Sequence, residues 1–261
     1  MSSEAILVSK QGAVGVMTFN RPELLHRLDI PMMLAIEAAL TQLEADSEVR
    51  AIVITGAGDR AFCAGGDIDD LKSRYGLAHY REFGEIVQRL FVRIEACDKP
   101  TLAAVNGWAL GGGTEMLLAI DIRIVAAEAK LGLPEINLGI FPGAGGSQRL
   151  MRQIPLCRAK ELMFAGVQIT AAEALALGLI NRVVPRAQVL EETLQLAQQI
   201  AQKSPLTLKI LKRSMRQGAE MPLGAALAYE QAMISLAFDT QDSKEGCSAF
   251  IEKRAAQFTG E

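Results

Sequence analysis

The sequence predicts an α/β fold that ends in an all-helical region. Three observations carry that expectation. Short apolar runs alternate with segments of helical spacing over the first two thirds of the chain. The run RAIVIT at residues 50–55 is apolar without alternation, as in a strand whose sheet is buried on both faces. From Glu191 onward only helical periodicity remains. The change of rhythm divides the chain near Arg186, into a core at 1–186 with the candidate site and a helical oligomerisation region at 187–261.

Residues 5–9 and 13–19 read as strands joined at Gln11-Gly12, because β-branched residues alternate along them. Asn20-Arg21-Pro22 ends the second. Asp29 is placed to cap a helix that has Pro31 in its first turn and runs to about Asp46. Its apolar positions Met33, Ile36, Ala39, Leu40 and Leu43 share one face. After the strand at 50–55, Gly56-Ala57-Gly58 turns the chain, and Asp67 is placed to cap a helix beginning at Ile68. Residues 72–81, with Tyr75-Gly76, read as a polar loop beside the candidate pocket. Residues 82–95 read as a helix. Short strands are expected at 101–105, 121–126 and 181–184, and helices at 159–164 and 171–177. The tail is expected as helices at 188–203, 205–216, 221–237 and 243–258.

Composition narrows the function classes. Half of the 261 residues are hydrophobic, enough for a large aliphatic core, and the net charge of −3 disfavours a general nucleic-acid binder. Cys63, Cys97, Cys157 and Cys247 form no CxxC pair, and His26 and His79 lie far apart, so no metal is expected. Scattered cysteines without an apolar or arginine-rich leader suit a reducing cytoplasm. No apolar run approaches the roughly 20 residues that span a bilayer, so no membrane partner is expected.

The chemically suggestive residues concentrate in residues 100–150. Gly111, Gly112 and Gly113 precede an apolar helical segment that carries Glu115, and Glu135 follows in LPEINLG before the glycine-rich FPGAGG. The first N–H groups of a helix lack intrahelical partners, and glycines leave them unscreened, so a helix start of this kind suits developing negative charge. Two carboxylates beside free N–H groups suggest proton transfer next to an oxyanion. An ordinary helix start, where glutamate is common and glycines turn the chain, fits the same pattern.

Six stretches taken together are more specific. They are FNRPE (19–23), AFCAGGDI (61–68), KPTLAAVNGWALGGGTEM (99–116), LPEINLGIFPGAGGSQRL (133–150), AAEALALGLINRVV (171–184) and EGCSAFIEKR (245–254). In this order, over nearly the whole chain, they resemble the enoyl-CoA hydratase/isomerase, or crotonase, family. The resemblance implies a spiral of ββα units followed by helices, a homotrimer or dimer of trimers, and an acyl-CoA thioester as substrate. Coenzyme A is then part of the substrate and no separate cofactor is implied. By resemblance Glu115 activates water and Glu135 protonates the α-carbon, while the N–H groups of Ala64 and Gly112 form the oxyanion hole. Leu25, Arg27, Ala64, Gly65, Gly66, Asp67, Ile68 and Gly112 would line the CoA and thioester path, with Arg27 toward either a phosphate or water. Phe250 and Lys253 match a tail Phe and Lys that reach the CoA of a neighbouring subunit, although EKR also reads as a solvated helix face. Both carboxylates favour hydration over double-bond isomerisation. A dehydratase, an isomerase on another acyl-CoA, and a non-catalytic RNA-binding or scaffold member are the alternatives.

Overall fold

The computed structural model describes residues 4–73 and 76–261. Ten strands form two sheets: β1 (Ile6–Gln11), β2 (Val14–Phe19), β3 (Ala51–Gly56), β4 (Ala61–Cys63), β5 (Thr101–Val105), β6 (Trp108–Leu110), β7 (Ile122–Ala126), β8 (Lys130–Gly132), β9 (Gln168–Thr170) and β10 (Arg182–Val184). The larger sheet has the order β1-β2-β3-β5-β7-β10, parallel except for the β1–β2 hairpin. The smaller has the order β4-β6-β8-β9, with only β9 antiparallel. From β3 to β8, successive strands therefore alternate between sheets. β3, β5 and β7 enter the large sheet, and β4, β6 and β8 cross to the small one a few residues later. This is the ββα coil that the resemblance implies.

The helices are α1 (Ile30–Ala45), α2 (Ile68–Lys72), α3 (Gly76–His79), α4 (Glu85–Ala96), α5 (Gly112–Leu117), α6 (Gly146–Gln153), α7 (Leu156–Ala165), α8 (Ala171–Ala176), α9 (Val189–Ala201), α10 (Pro205–Gly218), α11 (Leu223–Phe238) and α12 (Gln241–Glu252). The expected cap of α1 is present: Asp29 accepts from the Met32 N–H at 2.8 Å. Arg21 clamps the same carboxylate with both guanidinium nitrogens, at 2.9 and 2.7 Å. Val16, Met17, Ile52, Val53, Ile54, Leu102 and Ala103 are fully or nearly fully buried in the centre of the large sheet.

Three expectations change. The small sheet was not anticipated, because its strands have three residues each and show no periodicity. The loop expected at 72–81 is helical where described, apart from the turn at Ser73, with α3 running through a π-helical turn (Tyr80–Gly84) into α4. Tyr75 lies outside the described residues. The core also does not stop near Arg186. Helix α9 lies against β3, β5 and β7, burying Val189, Leu194, Ala197 and Ala201 in the same hydrophobic cluster. The exposed helical region begins with α10, in which no residue is buried.

One buried cation holds the end of α5. Among the described residues no carboxylate forms an ion pair with Arg123; its guanidinium donates to the carbonyls of Leu117 (2.6 Å), Leu179 (2.7 Å), Ile120 (3.1 Å) and Leu118 (3.4 Å). Three of these carbonyls belong to the last turn of α5 and the turn after it, where carbonyls lack helical donors and a positive charge is favoured. Burial draws the Arg123 pKa down to about 10, so the side chain stays protonated at neutral pH. Arg123→Met strips the guanidinium donors from the core, while Leu118 O keeps Gln153 Nε2 and Leu117 O keeps the Ile120 N–H. It is expected to lower folding stability by about 2–4 kcal/mol, read as a fall in the urea midpoint with an unchanged slope.

Candidate active site

The site is built where α5 meets the small sheet. Gly111 has φ +52° and ψ −124°, a backbone state closed to residues with a Cβ. Gly113 answers a different demand, since a Cβ there would lie 2.0 Å from the Cys63 carbonyl oxygen of β4. The Thr114 hydroxyl donates to Ala109 O of β6 at 2.5 Å and accepts from Gly132 N–H of β8 at 3.1 Å. The start of α5 is thereby seated against three strands of one sheet. Gly112 is its first helical residue, and its N–H donates to no backbone carbonyl among the described residues.

Glu115, one turn in, is 4% exposed. Its Oε1 accepts from the N–H groups of Ala144 and Gly146, both at 2.8 Å, in the turn that leads into α6. Its other oxygen accepts no hydrogen bond among the described residues. Burial raises the Glu115 pKa to about 7, and the nearby Glu135 charge adds to the rise. The two N–H donors and the Arg149 guanidinium oppose it.

Glu135 sits on a 3-10 turn (Pro134–Leu138) that leaves β8. The residue is half-buried, but both carboxylate oxygens are shielded and have no hydrogen-bond partner among the described residues. Burial raises its pKa as well. A Cβ at Gly111 would lie 3.1 Å from Glu135 Oε1, so the glycine at the helix start also makes room for the second carboxylate. One carboxylate is held by two donors and the other by none. The two environments are unequal, and the titration of the two carboxyls belongs to the pair.

A second wall comes from residues 25–28 running beside 64–67. Ala64 N–H donates to Leu25 O at 3.0 Å, Leu28 N–H to Gly65 O at 2.7 Å, and Asp67 N–H to Leu28 O at 3.0 Å. This corrects the expectation for Ala64, because its N–H is spent on the chain pairing. The N–H of Gly66, two residues on, donates to no backbone carbonyl among the described residues. It also lies beside Gly112: a Cβ on Gly112 would be 3.7 Å from Gly66 N and 3.6 Å from Gly65 Cα. Gly65, at φ +93°, has no space for a side chain, since a Cβ would stand 2.7 Å from Leu110 O. The backbone at 64–66 thus lies directly on the start of α5.

The remaining expected residues fall into two groups. Leu25, Arg27, Asp67 and Ile68 are brought together with the glycine cluster. Arg27 Nε lies 3.0 Å from Asp67 Oδ2, so Arg27 is paired rather than free in solvent. Asp67 caps α2, accepting from Asp69 N–H, and Ile68 opens that helix with an exposed side chain. Phe250, 85% exposed, and Lys253, at the end of α12, make no hydrogen bond or ion pair with this cluster among the described residues. His26 is buried, accepts from Arg21 N–H through Nδ1 at 3.1 Å, and has Nε2 2.9 Å from Ala57 O. Burial lowers its pKa, which makes it a neutral pin for the 21–26 turn. The sequence reading missed the cradle of Ala144 and Gly146; the glycines of FPGAGG were its only trace.

A family model described as enoyl-CoA hydratase/isomerase matches residues 9–261. The chain is 39% identical to the short-chain-enoyl-CoA hydratase of Clostridium acetobutylicum over 254 residues, covering 97% of each protein. It is 40% identical to the crotonyl-CoA hydratase of Syntrophomonas wolfei over 258 residues, covering 99% of each. Its fold superposes on the crystal structure of an enoyl-CoA hydratase from Bacillus anthracis with a TM-score of 0.94 at 36% identity, covering 98% of this chain and 100% of that one.

The raised pKa of Glu115 has a thermodynamic consequence. A carboxyl whose folded pKa lies above its unfolded value of 4.5 contributes stability that is full below 4.5 and is lost as pH rises through about 7. At alkaline pH, ionised Glu115 therefore destabilises the fold, by about 3 kcal/mol on this reckoning. Glu115→Gln keeps the acceptor for both N–H groups and removes the charge. Its melting temperature should exceed that of the wild type at pH 8 and converge with it near pH 5. Parallel melting curves at both pH values would contradict the assignment.

Proposed function

The chain belongs to the enoyl-CoA hydratase/isomerase family, and from that premise we propose how its residues perform the reaction of a hydro-lyase. The protein adds water reversibly across the 2,3 double bond of a 2-enoyl-CoA thioester. As water attacks the β-carbon, negative charge accumulates on the thioester oxygen. The N–H groups of Gly112 and Gly66 receive that oxygen, at a helix start whose dipole favours the charge. Gly66 takes the place that the resemblance gave to Ala64. Glu115, aimed by Ala144 and Gly146, holds the water and removes its proton. Glu135, whose oxygens accept no hydrogen bond among the described residues, carries the proton delivered to the α-carbon. In the reverse direction the two exchange tasks.

The observation that carries this reading is the unequal environment of two carboxylates flanking one open helix start. A double-bond shift alone needs one such group. The test is loss of enoyl-thioester absorbance with crotonyl-CoA, a substrate suggested by the names of the relatives. Glu115→Gln and Glu135→Gln should each lower kcat by roughly 10²–10⁴. Near-wild-type turnover in either variant would refute its role. A protein silent toward every enoyl-CoA that shifts RNA would favour the scaffold alternative.

The assembly in this reading is a homotrimer or a dimer of trimers. Leu223, Leu227, Ile234, Leu236 and Phe238 are exposed along and at the end of α11, and Phe250 and Ile251 on α12, an apolar surface suited to a second copy of the chain. Lys253 would then meet a CoA phosphate across the interface. Lys253→Ala is expected to raise KM for crotonyl-CoA severalfold with kcat nearly intact. The effect should fade at high salt and be absent with a crotonyl-pantetheine thioester. An equal effect on both thioesters would exclude a phosphate contact.

A further inference from the structure

We infer that Arg149 is a positioning residue for this reaction: it clamps the turn whose two N–H groups aim Glu115. The inference rests on the reading of Glu115 as the group that activates water.

The Ala144 peptide groups are engaged on both sides. The Ala144 N–H donates to Glu115 Oε1, and the Ala144 carbonyl accepts from Arg149 Nη1 at 3.3 Å. The Arg149 N–H donates to Gly145 O at 2.8 Å. The guanidinium lies against Gly145 so closely that a Cβ there would fall 2.0 Å from Nη1, and Gly145 adopts φ +101°. Arg149 is itself fixed from the other side. Its Nε and Nη2 donate to Glu95 Oε2 at 3.2 and 2.9 Å, and its side chain is only 12% exposed. Glu95 belongs to α4, and the same helix sends Gln88 Nε2 to Gly143 O at 2.5 Å. Helix α4 thus reaches the 142–146 turn twice, once directly and once through Arg149.

The charges point the same way. Two charged groups act on Glu115 among the described residues: Glu135, which opposes its ionisation, and Arg149, which favours it. Glu95 faces Arg149 and tempers its field. A planar fork can span Glu95 and Ala144 O together, whereas a lysine ammonium is a single point charge on a flexible stem. An ion pair serving stability alone would leave the pH dependence of turnover unchanged.

The experiment measures kcat and KM for crotonyl-CoA from about pH 5 to 9 in wild type, Arg149→Met, Arg149→Lys and Glu95→Gln, with Glu115→Gln as control. Arg149→Met should lower kcat roughly tenfold to a hundredfold, as misplaced catalytic groups do, and leave KM within about threefold. Its acid limb should move to higher pH, by on the order of half a unit or more, because the cation that lowers the Glu115 pKa is gone. Glu95→Gln should move that limb to lower pH, because the countercharge of Arg149 is gone. Arg149→Lys should restore the position of the limb but not kcat. Wild-type kcat and an unmoved limb in Arg149→Met would overturn the inference. If Arg149→Met does not fold, Glu95→Gln decides: an unmoved limb overturns it. An active Glu115→Gln removes the reading beneath it, a result distinct from either.

Discussion

The architecture depends on one backbone-to-backbone contact. Residues 63–66, leaving β4, and residues 110–113, entering α5, touch with no side chains between them. Gly113 faces Cys63 O, and Gly65 faces Leu110 O and the Gly112 N–H. Any Cβ at these places would separate the segments, and the two N–H groups of Gly66 and Gly112 would no longer share a neighbourhood. The two segments come from successive turns of the coil, and each follows a three-residue strand of the small sheet. That sheet is short because it serves as a spacer: its strands set two chain reversals side by side at the distance of a glycine contact.

Around this contact the polar groups are distributed unequally. Glu115 receives two N–H donors and the field of the Arg149 cation, while Glu135 accepts no hydrogen bond among the described residues. Both are shielded from water, so each carboxylate is held against its preference to ionise. Such an arrangement persists only where the surrounding structure fixes it. Here the fixation is visible as the Thr114 bonds to β6 and β8, the Arg123 clamp on the carbonyls after α5, and the α4 contacts to the 142–146 turn.

Much of this was legible in the sequence because the informative residues act through local rules. Asp29 and Asp67 cap the helices that follow them, and RAIVIT is the buried strand its composition announces. The glycine run before Glu115 marks an open helix start. Other features were hidden because they depend on what lies across space. The partner of the Ala64 N–H is Leu25, nearly forty positions away, so no motif around Ala64 reveals that the donor is occupied. The same holds for α9. Its composition belongs with the tail, but its apolar face is claimed by the sheet. The small sheet escaped because three residues carry no period.

The position of α9 bears on how the chain is made. All the residues assigned to chemistry lie before Val189, yet one face of the large sheet is sealed by a helix that follows them. During synthesis, the site can assemble in outline while β3, β5 and β7 still lack that cover. A nascent chain paused at that length presents a broad apolar sheet face to solvent, the kind of surface on which chaperones act. Release from the ribosome before α9 emerges would therefore yield a fragment that holds every catalytic group and is prone to aggregate.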